Sequence, residues 1–239
     1  MNYGLQMYSV RDITEKDLAG ALAQVAQIGY KTVEFAGFFG HSAEEVKAML
    51  EENDLIVSGT HSGLDDLVND FEGTVKYHKT IGNTNYIIPG APWQTKEELD
   101  DTIEKLNKFQ PMLAAEGITL AYHNHDGEFK PNKDGLIAHE EMEKRTNINF
   151  QIDTYWAYVA GKDPVEVITR LKDRVKIIHI KDGTQDGHGH ALGEGTAPVA
   201  AVYAKAKELG MHMVVESETL QPDGISEATR CFAFLKSQE

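Results

Sequence analysis

Apolar residues along this chain fall into two alternating patterns. Short runs rich in β-branched and aromatic residues occur at 3–9 (YGLQMYS), 32–36 (TVEFA), 55–60 (LIVSGT), 85–89 (NYIIP), 118–123 (ITLAYH), 148–153 (INFQID), 175–180 (VKIIHI) and 212–216 (HMVVE). Their length and composition are those of buried strands. Between them the apolar positions take a helical spacing, clearest over 17–28, 43–53, 96–116, 164–171 and 199–209. Several helix starts carry capping groups: Ser42 with Glu45, Thr95 with Glu98, and Asp163 before a proline at the first helical position. Several ends carry glycine just ahead of the next strand, at Gly29, Gly82, Gly117 and Gly210.

No Pro/Ser-rich linker, charge block or low-complexity tract interrupts this alternation. Eight strand signals, each followed by a helix signal, predict an α/β fold: a (β/α)8 TIM barrel formed as a single domain over 1–239. An open doubly wound sheet would carry a glycine-rich phosphate loop after its first strand, and Met7-Tyr8-Ser9-Val10-Arg11 has no glycine.

In a barrel the C-terminal strand ends converge on one face, where chemistry is built. Read in order, those ends carry Tyr8 and Arg11, Glu34, His61, Pro89 and Trp93, His123 and His125, Asp153, His179 with Lys181 and Asp182, and Glu216 with Glu218. The last four strands each end in a group able to bind a divalent metal: His123 or His125, Asp153, His179 and Glu216. Mixed nitrogen and oxygen ligands suit manganese, cobalt, zinc or iron better than calcium. Each position also has a plainer reading. A strand-end histidine can be a hydrogen-bonded rim residue, and Asp153 can cap a helix starting at Thr154. Glu216 follows the apolar Met213-Val214-Val215, where a carboxylate is costly unless it is paired or metal-bound.

Composition narrows the partners. A formal net charge of −15 argues against nucleic acid, whose backbone needs a basic face, and leaves small polar substrates. No apolar stretch is long enough to span a membrane, and the N-terminus lacks the basic-then-apolar pattern of a secretory signal, so a cytoplasmic location is expected. The lone cysteine, Cys231, excludes an internal disulfide and a thiolate zinc cluster and reads as a core residue of a C-terminal helix.

The segments GLQMYSVRD, YHNHDGEF, IDTYWA, IHIKDG, LGEG and VVESE, in this order along the whole chain, resemble the xylose isomerase-like TIM-barrel superfamily. That group includes sugar isomerases and epimerases, hydroxypyruvate isomerase, inosose dehydratase and endonuclease IV. The resemblance implies one divalent metal held by Glu, Asp, His and Glu from strands five to eight. Asp153, His179 and Glu216 match three of these positions, and His123 stands where the first glutamate is usual. In the family's epimerases the two glutamates also form the acid/base pair. With His123 in place of one, Glu216 remains as a base, and His125, Glu128 or Lys181 is left to act as its counterpart. A histidine that those epimerases carry three residues after the aspartate is here Trp156, which can stack on a sugar face or pack the barrel rim.

Tyr8, His61, Trp93, Trp156 and Glu194 are the expected substrate-binding residues, Glu194 as the residue ordering the glycine-rich loop after strand seven. His188 and His190 in that loop are read as solvated. Asp126 or Glu128 is expected to orient a histidine ligand.

The implied activity is metal-dependent proton removal beside a carbonyl of a sugar, keto-sugar or cyclic polyol, by an isomerase, epimerase, dehydratase or lyase. The resemblance also implies a homodimer. The alternatives are an endonuclease IV-like nuclease, which the acidic balance disfavours, and a noncatalytic sugar-binding barrel.

Overall fold

The computed structural model describes residues 2–239. Eight parallel strands close into a barrel: Gly4–Gln6, Thr32–Phe35, Ile56–His61, Asn85–Ile88, Thr119–His123, Asn149–Asp153, Val175–Ile180 and His212–Val215. Each pairs with its neighbours in sequence order, and the first closes on the eighth through Gly4 opposite Val214 and Leu5 opposite Val215. Helices cover the outside, so the strands are buried on both faces. Leu5, Val33, Phe35, Tyr86, Tyr122, Phe150, Ile152, Ile178 and Val215 join the hydrophobic core beneath the helices. The alternate positions Gln6, Glu34, His123, Gln151, Asp153 and His179 are buried polar groups. The period of two along these strands therefore separates an apolar layer under the helices from an inner layer that carries the buried polar groups.

The five expected helices form at Leu18–Ile28, Ala43–Glu52, Lys96–Ala115, Pro164–Arg170 and Val199–Glu208. Ser42 with Glu45 and Thr95 with Glu98 form reciprocal capping boxes. The strand expected over 3–9 is shorter: Gln6 accepts from the Tyr8 N–H at 3.1 Å and turns Met7–Val10 into a 3-10 helix. Helices at Leu64–Asn69, Phe71–Thr80, Ala138–Arg145 and Thr154–Val159 fill places where the strand–helix alternation and the Asp153 cap call for a helix but the apolar spacing gave no clear bounds. They are short and bury few apolar residues, so their periodicity is weak; Phe71–Thr80 buries only Val75 and His78. Cys231 lies buried in the C-terminal helix Gly224–Ser237, as expected.

The loop after strand seven is an ordered structure. Asp182–Gly183 pairs antiparallel with Gly189–His190. Asp182 then accepts backbone N–H groups from Gly183 (2.7 Å), Gly193 (2.8 Å), Gly195 (3.0 Å) and Ala197 (3.2 Å). The aspartate thus folds the glycine-rich segment back against the barrel mouth.

Candidate metal centre

Strands five to eight bring His123, Asp153, His179 and Glu216 together, all buried, with ligand-type atoms within 4.8 Å of one another. Two donors on one ion stand at most about 4.4 Å apart, twice a bond of about 2.2 Å, so the span needs only a small contraction. Asp153 Oδ2 lies 3.6 Å from His123 Nε2 and 3.8 Å from His179 Nδ1. His179 Nδ1 lies 3.3 Å from Glu216 Oε2.

Both ring nitrogens of His123, Asp153 Oδ2 and His179 Nδ1 are buried without a hydrogen-bond partner. Such orphaned groups cost about 1–3 kcal/mol each. Three of them, His123 Nε2, Asp153 Oδ2 and His179 Nδ1, face one another, the arrangement a cation would satisfy.

The surrounding bonds fix these side chains. Asp153 Oδ1 accepts from the N–H groups of Tyr155 and Trp156, both at 2.9 Å, and so caps the helix Thr154–Val159. Asp153 is therefore a helix cap through one oxygen, and its other oxygen faces the histidines. His179 Nε2 donates to Glu34 Oε1 at 2.6 Å. His61 Nε2 donates to Gln151 Oε1 at 2.8 Å, and its ring stacks on His179 at 5.2 Å.

Electrostatics follow from burial and pairing. Burial pulls the His123 imidazole down to about 3, so it is neutral and has a lone pair to donate. Burial opposes charge on His179, but the carboxylates of Glu34 and Glu216 outweigh it and raise the pKa well above the ordinary imidazole value. A proton and a metal ion would compete for that ring. Burial would raise Asp153 and Glu216 too, yet the Lys181 ammonium, helped by the neighbouring imidazoles, holds both carboxyls below their usual range.

Lys181 is almost fully buried. Its Nζ donates to Glu216 Oε2 at 3.3 Å and to Glu218 Oε2, and it sits 4.7 Å above the Trp156 ring.

Tyr8, Ala36, His61, Pro89, His123, His125, Glu216 and Glu218 line an open pocket of about 360 Å³ at this cluster, within the size range of small-molecule sites. Of the two strand-five histidines, His123 is in the ligand cluster, and His125 is exposed in the pocket with its ring 4.9 Å from that of His123. Tyr8 and His61 line the pocket as expected.

Four expected site residues, Glu128, Trp93, Glu194 and Trp156, lie elsewhere, as does Asp126. Glu128 is turned away by the 3-10 turn Gly127–Phe129, and its carboxylate accepts from the Tyr122 hydroxyl (3.2 Å) and the His125 backbone N–H (3.0 Å). It therefore orders the loop, with no bond to a histidine ring. Asp126 likewise pairs with Lys130. Trp93 packs against Gly127 and the hydrophobic core. Glu194 pairs with Arg230 on the C-terminal helix at 2.8 Å, and the loop-ordering carboxylate is Asp182. Trp156 lies beneath Lys181, outside the pocket lining. Glu34 was visible as a strand-end carboxylate, but its partners come from four other strands and no spacing announces them.

A profile of the xylose isomerase-like TIM barrel matches residues 22–237. Among curated relatives, the inosose dehydratase of Mesomycoplasma hyopneumoniae (strain 7448) is 28% identical over 191 residues, which cover 68% of this chain and 61% of that one. The inosose dehydratase of Geobacillus kaustophilus is 22% identical over 190 residues, covering 69% and 62%. The match thus spans about three fifths of the length of these relatives. Among solved structures, a sugar phosphate isomerase/epimerase from Parabacteroides distasonis superposes with a TM-score of 0.84 at 23% identity, over 98% of this chain and 92% of that one. The D-allulose 3-epimerase of Methylomonas sp. in complex with D-allulose gives 0.75 at 16% identity, over 100% and 97%. With the closed eight-stranded barrel and a profile match over most of its length, this chain belongs to the xylose isomerase-like TIM-barrel family.

Proposed function

We propose that the protein is a divalent-metal-dependent enzyme that removes a proton beside the carbonyl of a neutral keto-sugar or cyclic polyol, with dehydration favoured over symmetric epimerisation. The observation that carries this reading is the convergence of partnerless, buried donor atoms from strands five to seven on one point beside the Glu216 carboxylate at the end of strand eight. His123, Asp153, His179 through Nδ1, and Glu216 would hold the ion. Bound there, a manganese, cobalt, zinc or iron ion would supply Lewis acidity to a substrate carbonyl or hydroxyl oxygen.

Glu216 is the carboxylate at the pocket positioned to accept the proton from carbon. Lys181, bonded to both Glu216 and Glu218, is a buried ammonium able to give a proton to a departing hydroxyl, which leaves as water. His125, exposed in the pocket, is the second group able to carry protons to and from solvent. A histidine at position 123 leaves the cluster without the pair of glutamates that two-face proton transfer uses, which favours elimination.

A neutral substrate fits the charges. Lys181 is bound to carboxylates, and Arg11 donates to the backbone carbonyls of Tyr8 (2.9 Å) and Glu218 (2.6 Å) while stacking on the Tyr8 ring. Neither cation near the pocket is left for a phosphate. The inosose dehydratase relatives supply an inosose as the first compound to try. The acidic balance and the small pocket speak against a nucleic-acid substrate.

The experiment is proton exchange followed by NMR in deuterated water, on a panel of inososes and keto-sugars, with chelator-treated protein reconstituted with manganese or cobalt. Exchange at the carbon beside the carbonyl, followed by loss of water, is expected only after reconstitution. Equal activity in stripped protein, or neither exchange nor turnover across the panel after reconstitution, would overturn the reading.

A further inference from the structure

Glu34, on the second strand, is fully buried and is not part of the pocket lining. Four nitrogens surround its carboxylate. Gln6 Nε2 lies 2.8 Å and His179 Nε2 2.6 Å from Oε1, Gln151 Nε2 lies 2.5 Å from Oε2, and His61 Nε2 lies 3.2 Å from Oε1. The amide nitrogens of Gln6 and Gln151 can only donate, so both oxygens of the carboxylate act as acceptors. Each imidazole nitrogen bonded to those oxygens therefore carries a hydrogen.

The consequence for His179 is a defined tautomer once the ring is neutral. Its Nε2 keeps the proton, and Nδ1, the ring atom nearest Glu216 and Asp153, is the nitrogen that gives up its hydrogen to a metal ion. His61 is set in the same way, because Gln151 donates through Nε2 to Glu34 and so turns its Oε1 toward His61 Nε2.

We propose that Glu34 is a positioning residue: from behind the cluster it holds His179 with Nδ1 as the metal donor and His61 with its proton on Nε2. A negative oxygen on the far nitrogen also strengthens the donor nitrogen. This inference rests on the metal reading above and adds to it a residue from the first half of the chain.

The test uses the full chain with ¹⁵N-labelled histidine, loaded with zinc, which is diamagnetic. Long-range ¹H–¹⁵N correlation is expected to show His179 protonated at Nε2 and shifted by zinc at Nδ1. In Glu34→Gln one acceptor oxygen becomes an NH2 that must oppose a donor, and zinc affinity, read by competition with a chelating indicator, is expected to fall ~10–100-fold. Zinc bound through His179 Nε2 in the wild-type chain would overturn the proposal, and that measurement stands whether or not the variant folds. So would a folded Glu34→Gln variant with zinc affinity within about twofold of wild type. Failure of the wild-type chain to take up zinc, manganese or cobalt would overturn the metal reading itself, before any variant is made.

Discussion

Asp153 presents one oxygen to His123, with Oδ2 3.6 Å from Nε2, while its other oxygen caps the helix that begins one residue later. The cap holds the carboxylate in one orientation, so its free oxygen points at the cluster without a rotamer search. Asp153→Asn keeps a capping oxygen and removes the anionic donor; Asp153→Ala removes both. Both variants are expected to lose metal affinity by at least ~100-fold. In the metal-free state Asp153→Ala should be less stable than Asp153→Asn by about 1 kcal/mol, the usual value of a lost cap. Metal titration and denaturant unfolding of the pair check this.

Metal should stabilise the fold. An ion bound by the native cluster and not by the unfolded chain adds about 2.7 kcal/mol at a free concentration a hundred times its Kd. Stripped protein is expected to melt at higher temperature once manganese, cobalt or zinc is added, and hardly to respond to calcium, which prefers all-oxygen sites. Differential scanning fluorimetry reads the shift, and His123→Ala should abolish most of it.

Lys181 neutralises the carboxylate pair Glu216 and Glu218 inside the barrel mouth. Lys181→Met leaves those carboxylates without their ammonium, and breaking a buried pair in this way typically costs about 3–5 kcal/mol. Metal-free Lys181→Met should therefore unfold at markedly lower urea concentration than wild type, with a smaller gap when metal is present to share Glu216. Turnover by the loaded variant should drop ~100-fold or more, as expected for removal of a proton-handling group.

His78 gives a pH prediction well away from the site. Asn83 Nδ2 donates to its Nδ1 at 3.0 Å, and Thr60 Oγ1 lies 3.3 Å away. Burial pulls this imidazole down to about 4 from an ordinary 6.5. Between those values the unfolded chain binds the proton and the native one does not. The stability from neutral His78 is complete above pH 6.5, declines as pH falls toward 4, and is level below that. At about 1.4 kcal/mol per pH unit the loss approaches about 3 kcal/mol. Unfolding free energies across this range should fall less steeply with acid in His78→Gln than in wild type.

The barrel was legible because buried parallel strands leave continuous apolar runs, and the candidate ligands were legible because each run stops at a polar group. Asp153, His179 and Glu216 could be picked out singly, and the structure brings them together with His123. What escaped was direction. Glu128 stands close in sequence to the two histidines, yet a single 3-10 turn sends its carboxylate to Tyr122. Glu34 is 145 residues from His179, and only barrel closure makes them neighbours. Asp182, plain in the sequence beside Lys181, organises the next loop through four backbone N–H bonds whose donors carry no recognisable pattern. The bounds of the helices at 64–80 and 138–145 escaped because those helices bury too few apolar side chains to set up a period.

The seam between the first and last strands has a consequence for biogenesis. Gly4 and Leu5 must wait for Val214 and Val215, so the cylinder stays open until its eighth strand has left the ribosome. Contacts of such long sequence separation slow folding. Glu216 arrives with that strand, so on the metal reading a nascent chain cannot complete its ion cage early, and metallation follows closure of the barrel.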